Sequence, residues 1–236
     1  MIDIRDLQFA YEDDGFRLQV DTLSISAGQR VAWTGPSGSG KTTLLHLVAG
    51  IIPTSTGRVQ SCGHELSAMD DSARRDFRVQ NVGLVFQEFE LLEYLSVLDN
   101  ILLAYRINRS IRLTFDVRMR AYELATELGL GEFLNRHPTH LSQGERQRVA
   151  VCRALITNPR LLLADEPTAN LDQDNATLVL DALDRHVEQA GATLVVVTHD
   201  QNLVSRFDRQ MDVAAFAAAS SATATQTPAG GPADAR

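Results

Sequence analysis

The stretch Gly35-Pro36-Ser37-Gly38-Ser39-Gly40-Lys41-Thr42 alternates glycine with small residues and closes on a lysine and a threonine. It follows Arg30-Val31-Ala32-Trp33 and runs into Thr43-Leu44-Leu45-His46-Leu47-Val48. The expected order is strand, glycine loop, helix, which is the context a P-loop requires. Glycines let the backbone curl until successive N–H groups point at one spot, and the helix that follows adds the positive end of its dipole there. A polyphosphate belongs in such a place. Lys41 reaches β- and γ-phosphates as a point charge, and the Thr42 hydroxyl can ligate a magnesium ion carried in with a nucleotide.

Two carboxylates complete that chemistry. Arg160-Leu161-Leu162-Leu163-Ala164-Asp165-Glu166 reads as a buried strand ending in acids, and unpaired charge there is costly. A magnesium ion at Thr42 supplies the reason: Asp165 holds it through water, while Glu166 faces the γ-phosphate and polarises the attacking water. His199 directly follows the buried run Ala192 to Thr198, so the end of a central strand places it beside the phosphates. Gln87 follows Val82-Gly83-Leu84-Val85-Phe86 and is either a ligand contact at a strand's carboxyl end or a polar residue opening a loop. Tyr11 is either an exposed aromatic without a role or a platform for a flat heterocycle, where base-on-aromatic stacking is worth about 1–3 kcal/mol.

The elements that must position these groups follow from periodicity. Residues 1–9 and 16–25 alternate apolar and polar as two antiparallel strands joined by Glu12-Asp13-Asp14-Gly15. Gly50 and Pro53 stop the P-loop helix, Thr56 to Ser61 is a short strand or turn, and Ser72 to Phe77 a short helix. From Glu88 to His140 the character is helical, with helix starts at Ser96 and Thr114 and a stop at Gly129; about 50 residues suit an inserted subdomain. Ser142 and Glu145 have capping-box spacing at the head of a helix running to Leu155. Asn170-Leu171-Asp172 leads into a helix ending near Ala190. Residues 217–236, rich in Ala, Ser, Thr, Pro and Gly, are expected to be a disordered tail.

Composition bounds the rest. The 236 residues are 44% hydrophobic, enough for a buried core, and carry a net charge of −8, which argues against a polynucleotide surface. Cys62 and Cys152 sit in no metal-binding cluster, so the expectation is ordinary buried thiols in a reducing compartment. No apolar run approaches the ~20 residues that span a bilayer, and no leader pattern opens the chain, so it reads as neither exported nor self-anchored.

In combination, the P-loop, Gln87, Leu141-Ser142-Gln143-Gly144-Glu145, Leu161 to Glu166, Asn170-Leu171-Asp172 and His199 resemble the ATP-binding cassette of an ABC transporter from Met1 to about Asp212. The resemblance implies an α/β P-loop NTPase (RecA-like) core, an N-terminal antiparallel β subdomain and an inserted α-helical subdomain at 88–140, all within a cassette spanning 1–216. It implies ATP and Mg2+ as cofactors, with the phosphates on Gly35 to Thr43 and the metal near Thr42, Gln87 and Asp165. Tyr11 becomes the adenine-stacking aromatic, Gln87 the glutamine that reports to a membrane subunit, Glu166 the catalytic carboxylate and His199 the switch histidine. Asp172 belongs at a dimer interface. Two cassettes pair head to tail, so Ser142, Gln143 and Gly144 of one chain close over ATP on the other chain's P-loop.

The implied partner is a separate transmembrane permease that provides the only membrane contact, on the inner, cytoplasmic face, with no nucleic acid involved. A regulatory ATPase that remodels a membrane or cell-wall complex without moving a solute is the alternative. RLLLADEPTANLD, residues 160 to 172, resembles the group serving lipoprotein release and macrolide export. The family's usual Leu-Ser-Gly-Gly-Gln is altered twice, at Gln143 and Glu145. A carboxylate beside a partner's γ-phosphate would be repelled, so Glu145 is expected to turn back to the Ser142 N–H.

Overall fold

The computed structural model describes residues 1–11, 16–54, 56–169 and 171–216. The turn expected at 12–15, Asn170 of the Asn-Leu-Asp motif and the tail expected at 217–236 lie outside them.

The N-terminal strands β1 (Ile2–Ala10) and β2 (Arg17–Ile25) pair antiparallel, and β4 (Thr56–Ser61) joins the other edge of β1. With the two-residue β5 (His64–Glu65) the sheet order is β2-β1-β4-β5. Ile2, Ile4 and Leu7 of β1 face inward opposite Ile25, Leu23 and Val20. The alternation breaks once, at Asp6, whose φ of 49° accompanies a register shift against β4 between Arg5 and Gln8. The strand that meets this irregularity, β4, carries Gly57, where a Cβ would lie 2.4 Å from the Asp6 carbonyl oxygen, so only glycine fits.

The second sheet is parallel, in the order β6 (Val82–Val85), β7 (Leu161–Asp165), β8 (Thr193–Val197), β3 (Arg30–Thr34), β9 (Arg209–Asp212). Every residue of β7 and β8 is buried, as expected of parallel strands covered on both faces. Leu161, Leu163, Val195 and Val197 face one core with α1 (Lys41–Val48) and the antiparallel sheet. Leu162, Ala164, Leu194 and Val196 face the other, with α3 (Val97–Ile101), α5 (Phe115–Glu127), α6 (Gln143–Leu155) and α7 (Gln173–Ala190).

Between β6 and α6 the chain is helical: α3, α4 (Leu103–Ile107), α5 and short 3-10 turns. Ser96 and Thr114 cap α3 and α5 with side-chain oxygens, and Gly129 takes φ 68° after α5. Fully buried Asn100 bonds the backbone of Leu92, Leu95 and Ser96, fixing the loop that enters this insertion.

Two elements differ from the sequence expectation. The helix expected at 72–77 is α2 (Asp71–Asn81), because the Asp70 side chain caps it by accepting from the Ala73 N–H at 2.7 Å. Arg209-Gln210-Met211-Asp212 forms β9, the edge strand beside β3; apart from half-buried Met211 its residues are polar and exposed, so no buried run or clean alternation announces it. Both cysteines are free and buried.

Candidate active site

The carboxyl ends of β3, β7 and β8 lie side by side in the parallel sheet, the place where open α/β sheets bind ligands. From β3 the chain passes into the glycine loop, from β7 into Asp165 and Glu166, and from β8 into Thr198 and His199. A cavity of about 530 Å3 opens there, lined by Gly35, Ser37, Gly38, Gly40, Lys41, Thr42, Thr43, Gln87, Asp165, Glu166 and His199 together with Tyr11 and Phe16.

The loop has the geometry of an anion cradle. Gly35, Gly38 and Gly40 all take positive φ, and a Cβ on Gly38 would meet nothing within 4 Å, so that side of the loop is open. Gly40 caps α1 at φ 93° with no side-chain hydrogen bond to the helix N-terminus. The Lys41 ammonium donates to the carbonyl oxygens of Gly35 and Pro36, both at 2.8 Å, which pins it across the loop. An ammonium has three donors, so one is left for a phosphate. Pro36 and Ser39 belong to the loop but not to the cavity lining.

The Thr42 hydroxyl donates to Asp165 Oδ2 at 2.6 Å, bringing two hard oxygen ligands together, with Gln87 on the same cavity. Among the described residues no group of three or more His, Cys, Asp or Glu side chains could hold a metal ion by itself. Thr42, Asp165 and an amide oxygen fit magnesium, which keeps few protein ligands and takes the rest from water and phosphate.

Glu166 is unusual in its backbone as well as its position. It takes φ 47°, a left-handed conformation that a non-glycine residue adopts at a cost of roughly 1–2 kcal/mol. Its N–H donates to the Val197 carbonyl at 2.9 Å, and its carbonyl accepts from the Ala169 N–H at 3.1 Å. Its side chain is 13% exposed, and Oε1 lies 2.7 Å from Nδ1 of the exposed His199. Strain held by surrounding bonds at a carboxylate facing a ligand cavity is a common feature of working sites.

Tyr11 lines the cavity, edge-on to Phe9 at 4.9 Å between centroids, with its hydroxyl 3.4 Å from Thr43 Oγ1. Phe16 was absent from the sequence reading. Its ring lies 6.2 Å from that of Tyr11, and a Cβ on Gly40 would come within 2.6 Å of its Cζ. The available signal was an aromatic on each side of residues 12–15.

Ser142, Gln143, Gly144 and Asp172 do not line this cavity. Ser142 caps α6 in a complete capping box: the Glu145 N–H donates to Ser142 Oγ at 3.2 Å, and the Ser142 N–H to Glu145 Oε2 at 2.6 Å. The expected turn-back of Glu145 is therefore present. Asp172 caps α7, and hydrogen bonds from the Asn175 N–H and side-chain amide hold its carboxyl below the usual range. Asn175 also lies over Gly144, where a Cβ would be 2.9 Å from its Cγ.

Behind the site, α6 grips the loop after Gln87. Arg153 donates to the carbonyls of Phe89 (2.6 Å) and Glu90, two successive residues at positive φ, and the Arg146 guanidinium sits 5.6 Å from the Phe89 ring.

A phosphate cradle at the end of a central parallel strand, a threonine–aspartate pair and a carboxylate held on a histidine define a nucleoside-triphosphatase of the P-loop class. Residues 18–169 match the family model described as ABC transporter. The lipoprotein-releasing system ATP-binding protein LolD of Psychrobacter arcticus is 40% identical over 204 residues, covering 85% of this chain and 90% of that protein. LolD of Chromohalobacter salexigens is 41% identical over 189 residues, 80% of this chain and 79% of that one. Among solved structures, the ATP-binding cassette MJ0796 in a dimeric post-hydrolysis state bound to ADP and Pi superposes with a TM-score of 0.82 at 31% identity, covering 91% of this chain and 95% of that chain. The chain belongs to the ABC transporter family; it is an ATP-binding, ATP-hydrolysing cassette, a nucleotide-binding subunit. Among the described residues no helix is long and apolar enough to cross a membrane.

Proposed function

We propose that this cassette powers a separate transmembrane permease by hydrolysing magnesium-bound ATP as a head-to-tail dimer, held to the inner face of the membrane through that permease. The cassette spans 1–216, with 88–140 its inserted helical subdomain. The observation that carries the reading is the single cavity on which the cradle, the Thr42–Asp165 pair, Gln87 and the Glu166–His199 pair converge.

The residues take these parts. Gly35 to Thr43 wrap the phosphates with backbone N–H groups, and Lys41 adds a charge toward the β- and γ-phosphates. Magnesium, when bound, neutralises charge on the β- and γ-oxygens, and Thr42, Asp165 and Gln87 are the residues that would hold it. Glu166 accepts the proton of the attacking water, and His199 orients that carboxylate and reaches toward the γ-phosphate. Tyr11 stacks on the adenine, with Phe16 beside it on the same cavity. Ser142, Gln143 and Gly144, on one chain, face the nucleotide of the other, and Asp172 lies at the seam between them. Their separation from the cavity of their own chain supports a site completed by a second copy.

The LolD relatives make a lipoprotein-releasing permease the first partner to test. The experiment is to purify the wild-type chain and Glu166→Gln from native membranes and to measure turnover. We expect a polytopic membrane protein to copurify, and Glu166→Gln to bind ATP while losing about 10²–10⁴ in turnover, the usual size of a general-base contribution. Near-wild-type phosphate release by Glu166→Gln would remove the catalytic assignment. Wild-type turnover with no membrane protein retained would overturn the permease reading alone.

A further inference from the structure

Glu166 sits in a left-handed backbone conformation directly before Pro167, a neighbour that itself narrows the conformations open to the preceding residue. Such a turn persists only where its surroundings over-determine it. Two of its ties are local to the sheet and the turn, namely the Glu166 N–H to the Val197 carbonyl and the Ala169 N–H to the Glu166 carbonyl. The third comes from another element. Gln147, on α6 and only 2% exposed, donates Nε2 to the Pro167 carbonyl at 2.6 Å. The other end of the same amide, Oε1, is buried with no hydrogen-bond partner among the described residues.

This half-satisfied amide is a poor device for stability. A buried polar atom without a partner is unfavourable, and an apolar side chain of the same length would remove that cost only by leaving the buried Pro167 carbonyl without this donor. What the amide does accomplish is geometric. It fixes the Pro167–Thr168 peptide, one residue past Glu166, and it does so from the helix that Ser142 caps and whose first turn carries Gly144. We propose that Gln147 is a positioning residue for hydrolysis: it sets the reach of the Glu166 carboxylate and ties the turn bearing it to the helix that begins at Ser142. The proposal rests on the assignment of Glu166 as the catalytic carboxylate.

The test is Gln147→Met in the full chain, a swap of similar length and volume that keeps the packing and removes the donor. Misplacing a reacting group by about 1 Å can cost 10²-fold in rate. We expect kcat to fall about tenfold or more, KM for ATP to stay within about threefold because the cradle is untouched, and the melting temperature to change little, because loss of the donor to the Pro167 carbonyl and removal of the unpartnered Oε1 act in opposite directions. Gln147→Glu gives an independent reading. Its carboxyl can donate to the Pro167 carbonyl only while protonated, so its kcat should fall with rising pH along a limb that the wild type lacks. Wild-type kcat in Gln147→Met, or a kcat loss that merely follows a lowered melting temperature, overturns the proposal. If Gln147→Met does not fold, the Glu variant decides, and a wild-type pH profile there overturns it. Should Glu166→Gln itself turn over normally, the assignment beneath the proposal has failed. Should Glu166→Gln be inactive while Gln147→Met is normal, only the positioning role has.

Discussion

Glu145 turns its carboxylate back onto its own helix. The Ser142 N–H donates to Glu145 Oε2, and the negative charge lies at the N-terminus of α6, a favourable placement worth about 0.3–1 kcal/mol. A glutamine accepts the same hydrogen bond, so Glu145→Gln should change steady-state ATP turnover by less than about tenfold, under 1.4 kcal/mol in barrier terms. A rate assay under saturating ATP checks this, and complete inactivity would mean that the carboxylate meets the nucleotide or its water directly. Gly144, one residue earlier, has no such latitude, because the Asn175 amide held by Asp172 occupies the space a side chain would need. The two departures from the usual signature therefore leave its second glycine, the position with the least room, as glycine.

At the scale of elements, α7 carries a titrating group that the chemistry does not use. His186 is buried, and its Nε2 lies 2.9 Å from the Pro159 carbonyl, which makes Nε2 the protonated nitrogen and the donor. Burial pulls its pKa below the ordinary histidine value, with the carbonyl bond opposing. Below the unfolded-state value of about 6.5 the unfolded chain takes up a proton that the folded chain refuses. Folded-state stability is thus fully present above that pH and declines as pH falls through it toward the lower folded pKa. His46 on α1, also depressed by burial, acts in the same direction. Urea unfolding between pH 7.5 and 5, ranges chosen to bracket about 6.5, should show a shallower loss for His186→Gln than for the wild type. Equal slopes would show that His186 titrates normally.

At the scale of the molecule, a head-to-tail dimer makes a sharp statement about mixing. Lys41→Ala disables a chain's cradle and Gly144→Asp disables its signature, so neither variant alone can build an intact composite site. In a mixed dimer, the cradle of the Gly144→Asp chain meets the signature of the Lys41→Ala chain, and both of those halves are wild type. Turnover should reappear when the two inactive variants are combined, and titrating one against the other measures it. A mixture as inactive as its components would place each complete site within a single chain.

Much of this was legible in the sequence because it is local. The strand, glycine loop and helix of residues 30–48, the acids ending β7, the caps at Ser96, Thr114 and Ser142, and the stop at Gly129 each depend on hydrogen bonds and burial periodicity within a few residues. Spacing alone therefore specifies them, and the combination of motifs was enough to mark the family. What only the tertiary structure decided are meetings between segments far apart in the chain. The mostly polar Arg209–Asp212 becomes a strand because β3 offers it a free edge. Phe16 joins the floor of the site because β2 starts beside Gly40. Gln147 reaches the Pro167 carbonyl, and Arg153 those of Phe89 and Glu90, only after α6 has packed against the parallel sheet. Nothing in a glutamine or an arginine on a helix marks it for such a bond. The choice of partner is made by sheet register and helix packing, and those are fixed by the whole buried core rather than by any window of sequence.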